Sequence, residues 1–190
     1  MPGLLLFKER NMTDTVQTDW MENTTYDELF VGQTASFMRE ITRHDIAAFA
    51  TLSGDINPAH LNEEYANASL FEGVIAHGMF GAALISALLG TRFPGPGTIY
   101  LGQEIKFTKP VRIGDRLTIQ ATVTSKNDEK QRIKMDCAVI NQDGEVVLKG
   151  EAKLMPPSLK IRVPRIAGPQ IVLVEPDGQQ RPLSVISEGL

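Results

Sequence analysis

The stretch "HGMFGAALISALLG", His77 to Gly90, constrains the fold more than any other part of the chain. It is uncharged and apolar or small on nearly every side, so it predicts a helix surrounded by protein. Its small residues, Gly81, Ala82, Ala83, Ser86 and Ala87, allow close approach by a sheet or a partner helix. The prolines and glycines of "TRFPGPG" then break the chain.

Beyond that break the period changes to two. "TIYLGQEIKFTKPV", "RLTIQATVTSK", "QRIKMDCAVINQ" and "EVVLKGEAKLM" read as four strands. In the last two, Ile133, Met135, Cys137 and Val139 form one apolar face, and Val146, Leu148, Gly150, Ala152 and Leu154 form the other. "QDG" between them signals a hairpin, and "RIGD" is expected to turn the first strand into the second. A one-faced antiparallel sheet needs a cover, and the apolar helix is the obvious one. The fold class is therefore α+β, a curved antiparallel sheet wrapped around a buried central helix.

Upstream, "VGQTASFMREI" reads as a short strand. "TRHDIAAFATLSG" reads as a helix capped by Thr42 with Asp45 in the capping-box position. Ile46, Phe49 and Ala50 share one of its faces, and Gly54 ends it. A short helix follows near "NEEYANA". Residues 1–24 are polar and aperiodic and read as a flexible N-terminal arm, with Met12 an alternative start; residues 25–156 form the main domain. Six of the eleven prolines fall in residues 156–190, so residues 157–190 cannot continue the sheet and read as a Pro-rich C-terminal extension or linker.

The net charge of −4 and the lack of a dense basic run argue against nucleic acid as a partner. The longest apolar stretch is well short of a membrane span. The apolar run of "MPGLLLFKERN" is too short for a signal peptide, so a cytoplasmic protein is expected. Cys137 is the single cysteine, with no partner for a disulfide and no companions for a metal site; its alternating neighbourhood makes it a buried core thiol.

The chemistry concentrates in "LSGDINPAHLNEEYA", Leu52 to Ala66. Four readings of the turn compete. It could be a structural Asx/Pro turn. A calcium loop fails, because the sixth position is His60 rather than Gly and the twelfth is Ala66 rather than Glu. A metal site on Asp55, His60 and His77 lacks any metalloenzyme spacing. The fourth reading is an acid–base pair in which Asp55 and His60, at the two ends of a turn stiffened by Pro58, act on one water.

The segment resembles the hydratase 2 signature of the MaoC-like, (R)-specific enoyl-CoA hydratases. The positions that match are Phe49, Ser53, Gly54, Asp55, Asn57, Pro58, His60 and Ala66, with Ala59 where a larger aliphatic is commoner. "AHGMFGAALISALLG" and "GPGTIYLGQEIKFTKPVRIGD" also resemble this family, in the same order. The resemblance implies a hot-dog fold, a homodimer or dimer-based assembly, and a role in fatty acid metabolism. It implies hydration of a trans-2-enoyl-CoA, with Asp55 and His60 holding the water and the Gly78 N–H at the helix start as oxyanion donor. Asn57 would build the turn, Ser86 would support the aspartate, and His77 would shape the pocket or orient the helix start. Lys106, Lys109 and Arg112 are candidates for the CoA phosphates. No metal and no cofactor are expected, coenzyme A being part of the substrate. The competing functions are a hot-dog thioesterase and a non-catalytic acyl-CoA-binding or dimerising module. The exit "MPPSLKIRVPR" looks like the junction of bifunctional hydratase/phosphate acetyltransferase proteins.

Overall fold

The structure is a computed structural model that describes residues 20–166, 168, 171–174 and 178–183. The proposed start at Met12 and the arm up to residue 19 lie outside the described residues.

The central element is helix α4 (Gly78–Thr91), preceded by α1 (Arg43–Ser53), α2 (Pro58–Leu61) and α3 (Glu63–Ala68). Five strands form one antiparallel sheet: β2 (Thr34–Glu40), β3 (Ile99–Phe107), β4 (Arg116–Asn127), β5 (Arg132–Ile140) and β6 (Val146–Met155). Their spatial order is β2-β4-β5-β6-β3. The period-two pattern appears as alternate burial. Leu117, Ile119, Ala121 and Val123 of β4 meet Ile133, Met135, Cys137 and Val139 of β5 on the inner face. Leu84, Ile85, Leu88 and Leu89 of α4 fill that face. Each such aliphatic contributes about 1.5–3 kcal/mol on burial. Burial also pushes the Cys137 thiol up to about 12, so it is an inert core residue.

Several expectations are corrected. The helix packs on the sheet as expected, but the described residues do not surround it on every side. Ala83, Ser86, Ala87 and Gly90, spaced at three and four residues, form an exposed stripe, because one curved sheet covers a single face of a helix. "RIGD" does not make a hairpin. β3 pairs with β6 and β4 with β2 and β5, so the chain crosses from one edge of the sheet to the far side. Residues 108–115 carry the crossing, with Ala76 N–H bonded to Val111 O at 2.8 Å and Gly114 N–H to Ile41 O at 2.7 Å. In β6 Leu148, Ala152 and Leu154 face inward as expected, but Val147 is buried beside them and Val146 is 38% exposed. The register passes from Val139↔Leu148 to Ile140↔Val146, and the bulge at Val147 interrupts the alternation at the start of the strand.

Stretches on either side of residues 25–156 also pair with each other. β1 (Trp20–Glu22) pairs with β7 (Arg162–Pro164), so residues 20–24 and 156–164 dock on the main domain. Asn23, 2% exposed, is the clasp. Its amide donates to Pro96 O and Leu159 O and its carbonyl accepts from Ile161 N–H, at 3.1, 2.9 and 2.9 Å. Lys160 adds a bond to Asn23 O and pairs with Glu28, whose carboxyl is held below its ordinary range by the Thr25 N–H and then by Lys160. Further along, β8 (Ile171–Val174) and β9 (Gln180–Leu183) pair antiparallel in a two-stranded sheet.

Gly150 marks the tightest strand contact. A Cβ there would lie 1.9 Å from Glu104 O across the β3–β6 ladder. Gly150→Ala is expected to lower stability by about 3 kcal/mol through forced separation of the strands. Urea unfolding checks this, and an unchanged midpoint contradicts it.

Candidate active site

The site is built where the catalytic-looking turn meets the start of α4. Thr42 caps α1 as its sequence announces, its hydroxyl accepting from Asp45 N–H, and Gly54 ends the helix at φ 75°, in the left-handed region. The chain then reverses through Asp55, whose carboxylate accepts the Asn57 N–H at 3.2 Å. Asn57 in turn caps α2, its side-chain oxygen accepting from Ala59 N–H at 3.0 Å, and Pro58 occupies the first helical turn. His60 therefore sits on a short helical turn, which the sequence did not foresee, rather than at the end of a plain loop.

The ring of His60 is fixed from outside that turn. Its Nδ1 lies 2.8 Å from Ile75 O, and a carbonyl can only accept, so Nδ1 carries the proton and Nε2 is the basic nitrogen. His77 is buried, and its Nε2–H donates to the backbone carbonyl of Asp55 at 2.9 Å. The two imidazoles stack with centroids 3.8 Å apart and planes tilted by 31°. One donor atom from each of Asp55, His60 and His77 lies within 4.8 Å of the other two.

This group opens onto a cavity of about 450 Å³. Its wall is largely apolar, and runs from the more exposed Phe71 and Phe107 to the buried Leu117, Val139 and Leu148 on the inner face of the sheet. Such a cavity suits a hydrocarbon chain with polar chemistry at one end. Gly78, at the first position of α4, lines the same cavity, and its N–H has no acceptor among the described residues. It stands at the positive end of the helix. A Cβ on Gly78 would meet the Phe107 ring at 2.9–3.1 Å, so close packing by Phe107 gives the glycine a structural reason as well.

Not every expected residue reaches the site. Ser86 is exposed on the outer stripe of α4, two turns from Gly78, and does not line the cavity. Lys106 points to the opposite face of the sheet, because Ile105 points inward and successive strand residues alternate. Lys109 does line the cavity, paired with Glu145. Arg112 donates to Phe71 O at 2.5 Å and braces the loop before Ile75. The aromatic wall, Phe71, Phe80 and Phe107, went unnoticed in the sequence, where only the crossover could have brought these three together.

A five-stranded antiparallel sheet around one long helix is the hot-dog fold, here carrying a carboxylate and an imidazole beside a helix N-terminus. Residues 30–144 match the MaoC like domain, and the chain belongs to that family. It is 48% identical to an (R)-specific enoyl-CoA hydratase of Rhodospirillum rubrum over 135 residues, covering 70% of this chain and 92% of that protein. It is 43% identical to a 3-hydroxybutyryl-CoA dehydratase of Methylorubrum extorquens, covering 70% and 83% of the two chains. An unliganded R-hydratase structure from Pseudomonas aeruginosa superposes with a TM-score of 0.77 at 45% identity, over 81% of this chain and 99% of the other.

Asn57→Ala is expected to cost about 1 kcal/mol through loss of the α2 cap, and Asn57→Ser to recover most of it. Thermal melts of both variants check this. Equal stability of the Ala variant and the parent contradicts the capping role.

Proposed function

We propose that this protein adds water to trans-2-enoyl-CoA thioesters to give (R)-3-hydroxyacyl-CoA, and catalyses the reverse dehydration, as a hydro-lyase. The observation that carries the proposal is the Asp55 carboxylate and the His60 ring within 4.8 Å of each other, with Nδ1–H of His60 held by Ile75 O, on an apolar cavity that also holds the unpaired Gly78 N–H. The acyl chain lies in the cavity with its thioester carbonyl at Gly78. Asp55 and His60 hold the water between them, and His60 Nε2 takes one of its protons as the oxygen bonds to C3. The electron pair of the double bond moves onto the thioester oxygen, where Gly78 N–H stabilises it; such a donor supplies roughly 3 kcal/mol. The proton returns to C2 by way of Asp55, so the elements of water are added in full.

No cofactor is needed, because conjugation with the thioester already polarises the double bond, and coenzyme A belongs to the substrate. No metal enters the reading either. Lys109 is the cation at the rim that could meet a CoA phosphate, once its pairing with Glu145 opens.

The working unit in this reading is a homodimer. β3 is an edge strand with Ile99, Leu101 and Phe107 exposed, and a free apolar edge of that kind pairs with another strand. Pairing through β3 puts the cavity mouth, marked by Phe107, beside the interface.

Asp55→Asn and His60→Gln are each expected to lower kcat by about 10²–10⁴-fold with crotonyl-CoA, followed by loss of enoyl absorbance. A rate close to that of the parent in either variant contradicts the assignment.

A further inference from the structure

His77 is better explained by the catalytic turn than by its own helix. It occupies the N-cap of α4, yet its side chain makes no capping bond, and histidine has no preference for that position. Its ring is 3% exposed, between Phe49 at 5.1 Å and His60 at 3.8 Å between centroids. Packing alone would favour phenylalanine in such a slot. Histidine there leaves Nδ1 buried without a partner, an unfavourable arrangement. What phenylalanine could not supply is the Nε2–H bond to the carbonyl of Asp55.

We infer that His77 is a positioning residue: its bond to the Asp55 carbonyl and its stack on the His60 ring set the water-handling pair at a fixed distance from the Gly78 N–H. This rests on the proposed roles of Asp55, His60 and Gly78. The four consecutive residues Ile75 to Gly78 then act together. Ile75 O fixes the proton on His60 Nδ1, the His77 side chain fixes the Asp55 backbone, and Gly78 N–H receives the developing charge. The segment is itself anchored on both sides, by Ile75 N–H to Ala59 O at 3.3 Å and by Ala76 N–H to Val111 O at 2.8 Å. A water pair and an oxyanion donor on separate elements need such a common reference, because a misplacement of about 1 Å can cost roughly 10²-fold in rate.

The test compares His77→Phe, which keeps the ring and loses the donor, with His77→Gln, whose amide N–H can still reach the Asp55 carbonyl. His77→Leu is a second variant without a donor, used in place of His77→Phe if that protein does not fold. Steady-state hydration of crotonyl-CoA and thermal melts are measured on the full chain, with Asp55→Asn as control. The expected result is a folded Phe or Leu variant with kcat lowered about 10–100-fold and KM within about twofold of the parent, and at least fivefold recovery of kcat in the Gln variant. A parental kcat in the donorless variant overturns the inference, as do equal losses in the donorless and Gln variants. If Asp55→Asn is inactive while the donorless variant is fully active, the positioning role alone fails. If Asp55→Asn keeps its activity, the water-pair assignment fails and the positioning role with it.

Discussion

Packing of α4 into the concave face of the sheet is the contact on which the rest depends. Leu84, Ile85, Leu88 and Leu89 bury one helix face against β4 and β5, and no other element in the described residues offers the sheet a comparable cover. The same contact fixes where α4 begins. Its first residue, Gly78, faces a cavity floored by the sheet and walled by Phe107 and Phe71. The polar end of the cavity is thus a helix N-terminus with an unpaired N–H, and its apolar end is the hydrophobic core itself. A substrate with a hydrocarbon tail and a polarisable carbonyl fits both ends at once.

The acid–base groups reach that point by a second route. They come from the turn between α1 and α2, which is shaped locally by Gly54, Asn57 and Pro58. Local chemistry makes the turn, but bonds from the segment before α4 orient it, through Ile75 O on His60 and His77 on Asp55. The crossover after β3 holds that segment in turn, through Val111. Three stretches far apart in sequence therefore meet in one small volume, each pinned by backbone hydrogen bonds.

Features set by local rules were legible in the sequence. The α1 cap at Thr42, the left-handed Gly54 stop, the alternation in β4 and β5 and the apolar character of α4 follow from near neighbours alone. The Asp55–His60 pair stood out because its residue types suit a water-handling turn, and the resemblance gave it an order of motifs. What the sequence hid was non-local. "RIGD" has turn chemistry, but nothing in it says that β3 will pair with β6 instead of β4. The bulge at Val147 interrupts, at its start, an alternation that reads cleanly on paper. The exposed stripe through Ser86 depends on how far one sheet curls around a helix. Asn23 reads as a tail residue until the chain beyond β6 returns to bond it. Lys106 is the exception, since the inward Ile105 beside it already implied an outward lysine.

The most direct test of the account follows every atom of the reaction. Crotonyl-CoA is incubated with the protein in oxygen-18 water, and the product is analysed for its label, its chirality at C3 and its thiol. The expected product is (R)-3-hydroxybutyryl-CoA with labelled oxygen on C3 and the thioester intact. Free coenzyme A with crotonate labelled in its carboxyl group, and no 3-hydroxy product, would contradict it.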